Sequence, residues 1–233
     1  MNRGDSMECL LDIPFTLDET ALLRQLHLDP DSVDRKELRE LIELAQEVGK
    51  PKAAYAESFV DRRDGDTVEI NGVAFTSRTL SKKLVNSWRV FPLLATCGHE
   101  MDEAFSAPDD MLKEFWWDTI KAHLLMAAIK HLNAHLHHKF RLGKTAQMSP
   151  GSGDVDVWPI EQQKGLFALL GDVEQAIGVR LTDSFLMVPN KTISALMFSS
   201  AKDFRTCEVC HRADCPSRQA PLNQKLWEEM QHE

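Results

Sequence analysis

The longest helical periodicity in the chain runs through residues 115–141, where Leu125, Ile129, Leu132 and Leu136 recur every three or four residues and Gly143 closes the run. Residues so spaced fall on one side of a 3.6-residue helix. The segment must therefore lay an apolar stripe against something, and the spacing predicts the central helix of the core.

Around this helix the pattern changes period repeatedly. Residues 9–15 read as a strand, residues 18–26 as a short helix opened by Asp18, and residues 35–48 as a helix whose Leu38, Leu41, Ile42 and Ala45 form a buried face ending at Gly49 and Pro51. Residues 67–76 alternate around Asn71-Gly72, a dipeptide that accepts the positive φ of a tight hairpin turn, and residues 89–96 read as a buried strand. Residues 147–158 carry Pro150, Gly151 and Gly153 and read as a loop. Pro159 then suits the first position of a helix that buries Ile160, Phe167, Leu170, Val173 and Ile177 and stops at Gly178. Residues 184–188 and 192–199 read as an antiparallel pair joined by Pro189-Asn190-Lys191. Helices and hairpins without regular strand–helix alternation give an α+β fold, an antiparallel sheet or meander with long helices. The expected organisation is one domain over residues 1–200 and a cysteine-containing extension, residues 201–233, packed on it.

A net charge of −9 without a basic stripe excludes a nucleic-acid surface, because phosphate binding needs clustered Lys and Arg. No apolar run approaches the roughly 20 residues of a membrane span. Asp5 and Glu8 interrupt any signal-peptide pattern, so the expected location is the cytoplasm. No dinucleotide fingerprint, phosphate loop or nucleophile elbow is present. Of five cysteines, three lie between Cys207 and Cys215, which suits a metal or redox site better than a disulfide framework.

The most specific run is ordered: Ser149-Pro150-Gly151-Ser152-Gly153-Asp154, then Trp158-Pro159-Ile160-Glu161-Gln162-Gln163, then residues 177–184, then Val188-Pro189-Asn190-Lys191-Thr192-Ile193-Ser194-Ala195. It resembles the activation domain of cobalamin-dependent methionine synthase, particularly short stand-alone relatives. The likeness extends back through Ala95-Thr96-Cys97-Gly98, Leu136-His137 and residues 50–55. The resemblance implies an S-adenosylmethionine-binding module for reductive methylation of a corrinoid. This chain has no Asp-x-His-x-x-Gly motif, so the cobalamin would sit on a partner, a corrinoid protein or a methionine synthase lacking its own activation domain, supplied by a low-potential electron donor. The implied ligand residues are Gln147, Ser149, Pro150, Gly151, Ser152, Gly153 and Asp154, with Trp158 as a stacking surface. Without a Cβ, Gly151 and Gly153 let main-chain groups approach a ligand closely. The family's loop reads Arg-x-x-Pro-Gly-Tyr. Here Gln147 stands for the arginine and Ser152 for the tyrosine, which removes a guanidinium fork and an aromatic contact. The plainer reading is a tight turn in which Asp154 or Asp156 caps the next helix.

Cys207, Cys210 and Cys215 have a spacing that can hold zinc or an iron-sulfur cluster, with Cys97 as the fourth ligand and His211 or His99 as substitutes. This supports an alternative function, an electron-transfer or assembly subunit of a corrinoid methyltransferase system with a vestigial ligand loop. His131, His135 and His138 share a helical face and read as a solvated stripe, Phe115-Trp116-Trp117 as core at a helix start, Met187 and Met197 as core fillers, and Cys9 as a buried apolar residue.

Overall fold

The computed structural model describes residues 7–29, 31–154, 157–215 and 218–231. Its strands are β1 (Glu8–Leu10), β2 (Lys52–Tyr55), β3 (Ser58–Asp64), β4 (Thr67–Ile70), β5 (Val73–Thr76), β6 (Arg89–Thr96), β7 (Thr145–Met148), β8 (Arg180–Leu181), β9 (Met187–Val188) and β10 (Thr192–Ser199). The helices are α1 (Glu19–Gln25), α2 (Val33–Val48), α3 (Arg78–Lys83), α4 (Glu100–Ala104), α5 (Met111–Phe140), α6 (Gln163–Leu170), α7 (Val173–Ile177) and α8 (Gln224–Gln231), with short 3₁₀ turns at Ile160–Gln162 and Thr206–Val209.

The centre is β6, an apolar run buried along nearly its whole length. A strand with that composition needs cover on both faces and partners on both edges, and it has them. β10 pairs antiparallel along one edge from Thr192↔Thr96 to Phe198↔Val90. β2 and then β3 pair along the other. β1 extends the sheet beyond β2, β7 extends it beyond β10, and the β3–β4–β5 meander branches from the end of β6. The fold is α+β, as expected.

Helix α5 lies on one sheet face, where Ala128, Leu132 and Leu136 meet Tyr55, Phe91, Leu93, Ala95, Ala195 and Met197. Each fully buried leucine stabilises this contact by about 2 kcal/mol. Asp110 caps the first turn of α5 by accepting from Lys113 N–H, so the helix starts earlier than the apolar stripe alone predicts. The other face, through Ala54 and Leu94, is covered by Leu170, Val173 and Ile177. Trp116 and Trp117 are buried against α1 and α2 as expected, whereas Phe115 is exposed.

Several expectations are corrected. Residues 159–177 do not form one helix: Gly171 adopts φ +90°, and Asp172 starts a second helix by accepting from Gln175 N–H. Ile160 is not on the buried face but partly exposed. Residues 184–188 do not pair with 192–199. β9 pairs with β8, because β10 is taken up by β6 and β7. Gln147 and Met148 end strand β7 rather than opening a loop. The first strand stops at Leu10, and Cys9 is half-buried. Among the described residues no helix is long and apolar enough to cross a membrane.

Candidate functional site

The glycine loop follows β7 directly. Gly151 and Gly153 have φ of +75° and +93°, in the left-handed region where a side chain is strained. The bend closes on itself through Gly151 N–H to Trp158 O (2.8 Å) and Ser152 N–H to Ser149 O (3.1 Å). Its inner side packs against the protein: a Cβ on Gly151 would stand 2.9 Å from Ile160 Cγ1, and one on Gly153 3.0 Å from Thr206 Cγ2. Pro150 is buried, while Gly151, Ser152 and Gly153 face solvent.

Trp158, expected as a stacking surface, is wholly buried. Its indole N–H donates to Gln162 Oε1 (3.1 Å) and its ring lies edge-on to Phe75. It anchors the loop to the core and offers no face to a ligand. The reason is tertiary: β5, α6 and the tail close over it.

Asp154 caps no helix and faces the tail. Its carboxylate accepts the His211 backbone N–H at both oxygens (3.1 Å each) and lies 2.7 Å from His211 Nδ1. Burial pushes the Asp154 carboxyl upward, but hydrogen bonds from His211 and the Cys210 thiol outweigh it and hold the group below the usual carboxylate range. Asp156 lies outside the described residues.

The cysteine segment is not assembled as a metal centre. Among the described residues no group of three or more His, Cys, Asp or Glu side chains is placed to hold an ion. Cys97, expected as fourth ligand, is buried with Leu22, Met101 and Trp117, whereas Val209, next to Cys210, joins the separate cluster beneath Trp158. Burial pushes the Cys97 thiol up to about 12, a poor start for a thiolate ligand. The segment is held instead by Arg218, whose guanidinium donates to the carbonyls of Cys207, Cys210, Arg212 and Ala220. The zinc or iron-sulfur expectation is thus unsupported, and neither His99 nor His211 completes a site. The histidines of α5 do not converge on an ion either: His135 Nε2 bonds Tyr55 Oη (2.9 Å), and His137 bonds Leu142 O and Thr145 Oγ1.

A feature that sequence reasoning missed lies on the outer side of α5. A shallow groove of about 570 Å³ is lined by apolar Met126, Ala127 and Ile129 and by polar Thr16, His123, Lys130 and Asn133. That volume is in the range of small-molecule sites. Met126 is 61% exposed, an uncovered apolar side chain beside the stripe. Gln147 Nε2 donates to Asn133 Oδ1 (2.8 Å), so the end of the groove is tied to the strand that leads into the glycine loop. His123 bonds Gln25, and burial holds its imidazole below the ordinary histidine range.

Residues 146–211 match the family described as vitamin B12 dependent methionine synthase, activation domain. Among solved structures, the chain is similar to the MetH reactivation domain bound to AdoHcy, with a TM-score of 0.56 and 16% identity over 88% of this chain and 82% of that one. No curated protein matches the chain. The resemblance drawn from the ordered motifs is borne out: the segment from β7 to His211 carries the activation-domain signature, and the fold is that of the reactivation domain.

Proposed function

We propose that the chain binds S-adenosylmethionine and assists reductive methylation of a corrinoid held by a partner protein. The observation that carries the reading is a coincidence of place. The family match begins at residue 146, and Gln147 in that same strand is bonded to Asn133 at the end of the α5 groove. The structural relative is described as bound to AdoHcy, the demethylated form of this ligand.

In this reading the groove takes the ligand along Met126, Ala127 and Ile129. Gln147, bonded to Asn133 at the groove's end, leads into the loop Ser149, Pro150, Gly151, Ser152 and Gly153, whose exposed positions are Gly151 to Gly153. Asp154 acts from behind, holding the loop to the tail, and Trp158 fixes the loop's exit to the core.

S-adenosylmethionine supplies the methyl group. Cobalt of the partner's corrinoid, reduced by a separate low-potential donor, takes that methyl while the sulfonium leaves as a neutral thioether. The chain's own contribution is to hold the nucleoside in one orientation, and such positioning can supply on the order of 7 to 11 kcal/mol of barrier reduction. The partner is a corrinoid protein, or a methionine synthase without its own activation domain.

Calorimetric titration tests the reading. Saturable heat with S-adenosylmethionine is expected, abolished by Ala127→Trp, which fills the groove from a half-buried position. Absence of heat from the parent chain at millimolar ligand refutes it.

A further inference from the structure

Helix α5 carries four lysines, and their surroundings differ in one respect. Lys113 pairs with Glu37 and Asp110, Lys121 with Asp102 and Asp118, and Lys139 with Glu8. Lys130 has no recorded ion pair or hydrogen bond to the described residues, in a protein with 36 acidic against 27 basic side chains. It lines the groove, and no acidic residue does.

One helical turn on, Asn133 lines the same groove. Its Oδ1 is taken by Gln147, which leaves the two N–H donors of its amide without a recorded partner among the described residues. Residues three apart on a helix are neighbours on its surface. An ammonium and an amide NH₂ therefore stand side by side, both donors, at one end of a groove whose middle is apolar Met126, Ala127 and Ile129.

A donor pair of that kind matches a carboxylate, which accepts at two oxygens. His123, the other titratable group of the lining, lies nearly three turns before Asn133 and is bonded to Gln25, so it does not compete for the same anion. A rise of about 1.5 Å per residue puts it roughly 15 Å from Asn133 along the helix. That span suits an extended ligand with an anionic end at Lys130 and Asn133 and a flat apolar body over Met126 and Ala127.

We infer that Lys130 and Asn133 form a carboxylate-binding pair that takes the amino-acid end of an adenosylated amino acid. The inference rests on the ligand reading above and deepens it. It places recognition of the carboxylate on helix α5, where the loop offers only the neutral Gln147.

The probes are S-adenosylhomocysteine and 5′-methylthioadenosine, which share the adenosyl thioether and differ in the amino-acid arm. The expected result is that Lys130→Ala weakens S-adenosylhomocysteine binding about fivefold, an effect appropriate to a charge-assisted contact at an exposed site. Lys130→Arg keeps the affinity, and methylthioadenosine binding is unchanged in both variants. Lys130 is exposed, so its removal leaves the fold intact, as an unchanged melting curve would show. The pair is overturned if Lys130→Ala changes homocysteine-ligand binding less than twofold, or weakens both probes equally. A parent chain that binds neither probe brings down the ligand reading itself, and the pair with it. Binding of both probes with equal affinity by the parent chain overturns the pair alone.

Discussion

Replacing Asp154 with alanine removes the acceptor that joins the glycine loop to the tail. The His211 backbone N–H, the His211 ring and the Cys210 thiol all lose their partner at once. Hydrogen bonds to a charged group contribute roughly 1.5–3 kcal/mol, and the Asp154 side chain is 31% exposed, so solvent screening takes part of that. A net loss of about 2 kcal/mol is expected, near a thirtyfold rise in the frequency with which the tail opens. The loss is local, because the central sheet and α5 do not depend on this contact. Amide hydrogen exchange therefore measures it better than a melting temperature. The informative amides are Asn223 N–H, bonded to Glu208 O, and Trp227 N–H, bonded to Asn223 O, since neither touches Asp154. Both should exchange about thirtyfold faster in Asp154→Ala. The pH dependence has a definite sign. A carboxyl held below its ordinary value of about 3.9 stabilises fully above that value and loses its contribution as pH falls through the folded-state value. The gap between parent and variant should accordingly close in acid, below about pH 4. Exchange at Asn223 and Trp227 within twofold of the parent at neutral pH would refute the brace.

Arg218→Lys exchanges a planar fork for a single ammonium and leaves several of the four tail carbonyls without a donor, so tail opening should again rise by roughly an order of magnitude. Neither added zinc nor a chelator should shift exchange in the parent chain. A chelator that loosens the tail would show that metal holds it. Iodoacetamide at pH 8 should label Cys207 and Cys215, which are half-buried, and spare Cys97 until denaturant is added, because burial both shields that thiol and pushes it up to about 12. Peptide mass spectrometry reads the order, and early labelling of Cys97 would contradict the packing around it.

Elements with a long or doubly apolar pattern were legible from sequence. The stripe through Leu125 to Leu136 gave α5, the apolar run of residues 89–96 gave β6, and Asn71-Gly72 gave the β4–β5 turn, where both residues have positive φ. The misreadings share a cause, which is competition between partners far apart in sequence. The connection through Pro189-Asn190-Lys191 looks like a hairpin turn, yet β10 forms a seven-pair register with β6, and Met187–Val188 is left to Arg180–Leu181. The helix break at Gly171 did have a local signal, since Asp172 behind a glycine is a capping residue, but the apolar spacing ran through it. Trp158 was placed at the loop correctly and on the wrong side of it, because periodicity says that a residue is apolar and not which neighbours close over it. The groove was invisible for the same reason. Met126 sits beside the stripe and Ile129 on its half-buried edge, and periodicity does not tell that the chain, passing at Thr16, leaves Met126 uncovered.

The two sides of the glycine loop now separate by task. Toward Ile160, Thr206 and the tail, every close approach is structural: side chains fill the space a Cβ would need, and Asp154 spends its carboxylate on His211. Toward solvent, main chain at Gly151 to Gly153 is open, and the strand entering the loop is bonded to the groove through Gln147 and Asn133. A loop used only as a turn has no need for a second attachment from the tail. A loop that must present main chain at a fixed height has that need, because two glycines at positive φ are the least self-supporting backbone available and rigidity has to come from outside. On this argument the tail braces the loop's geometry through Asp154 and His211, with Arg218 holding the carbonyls of Cys207 and Cys210 in place behind them.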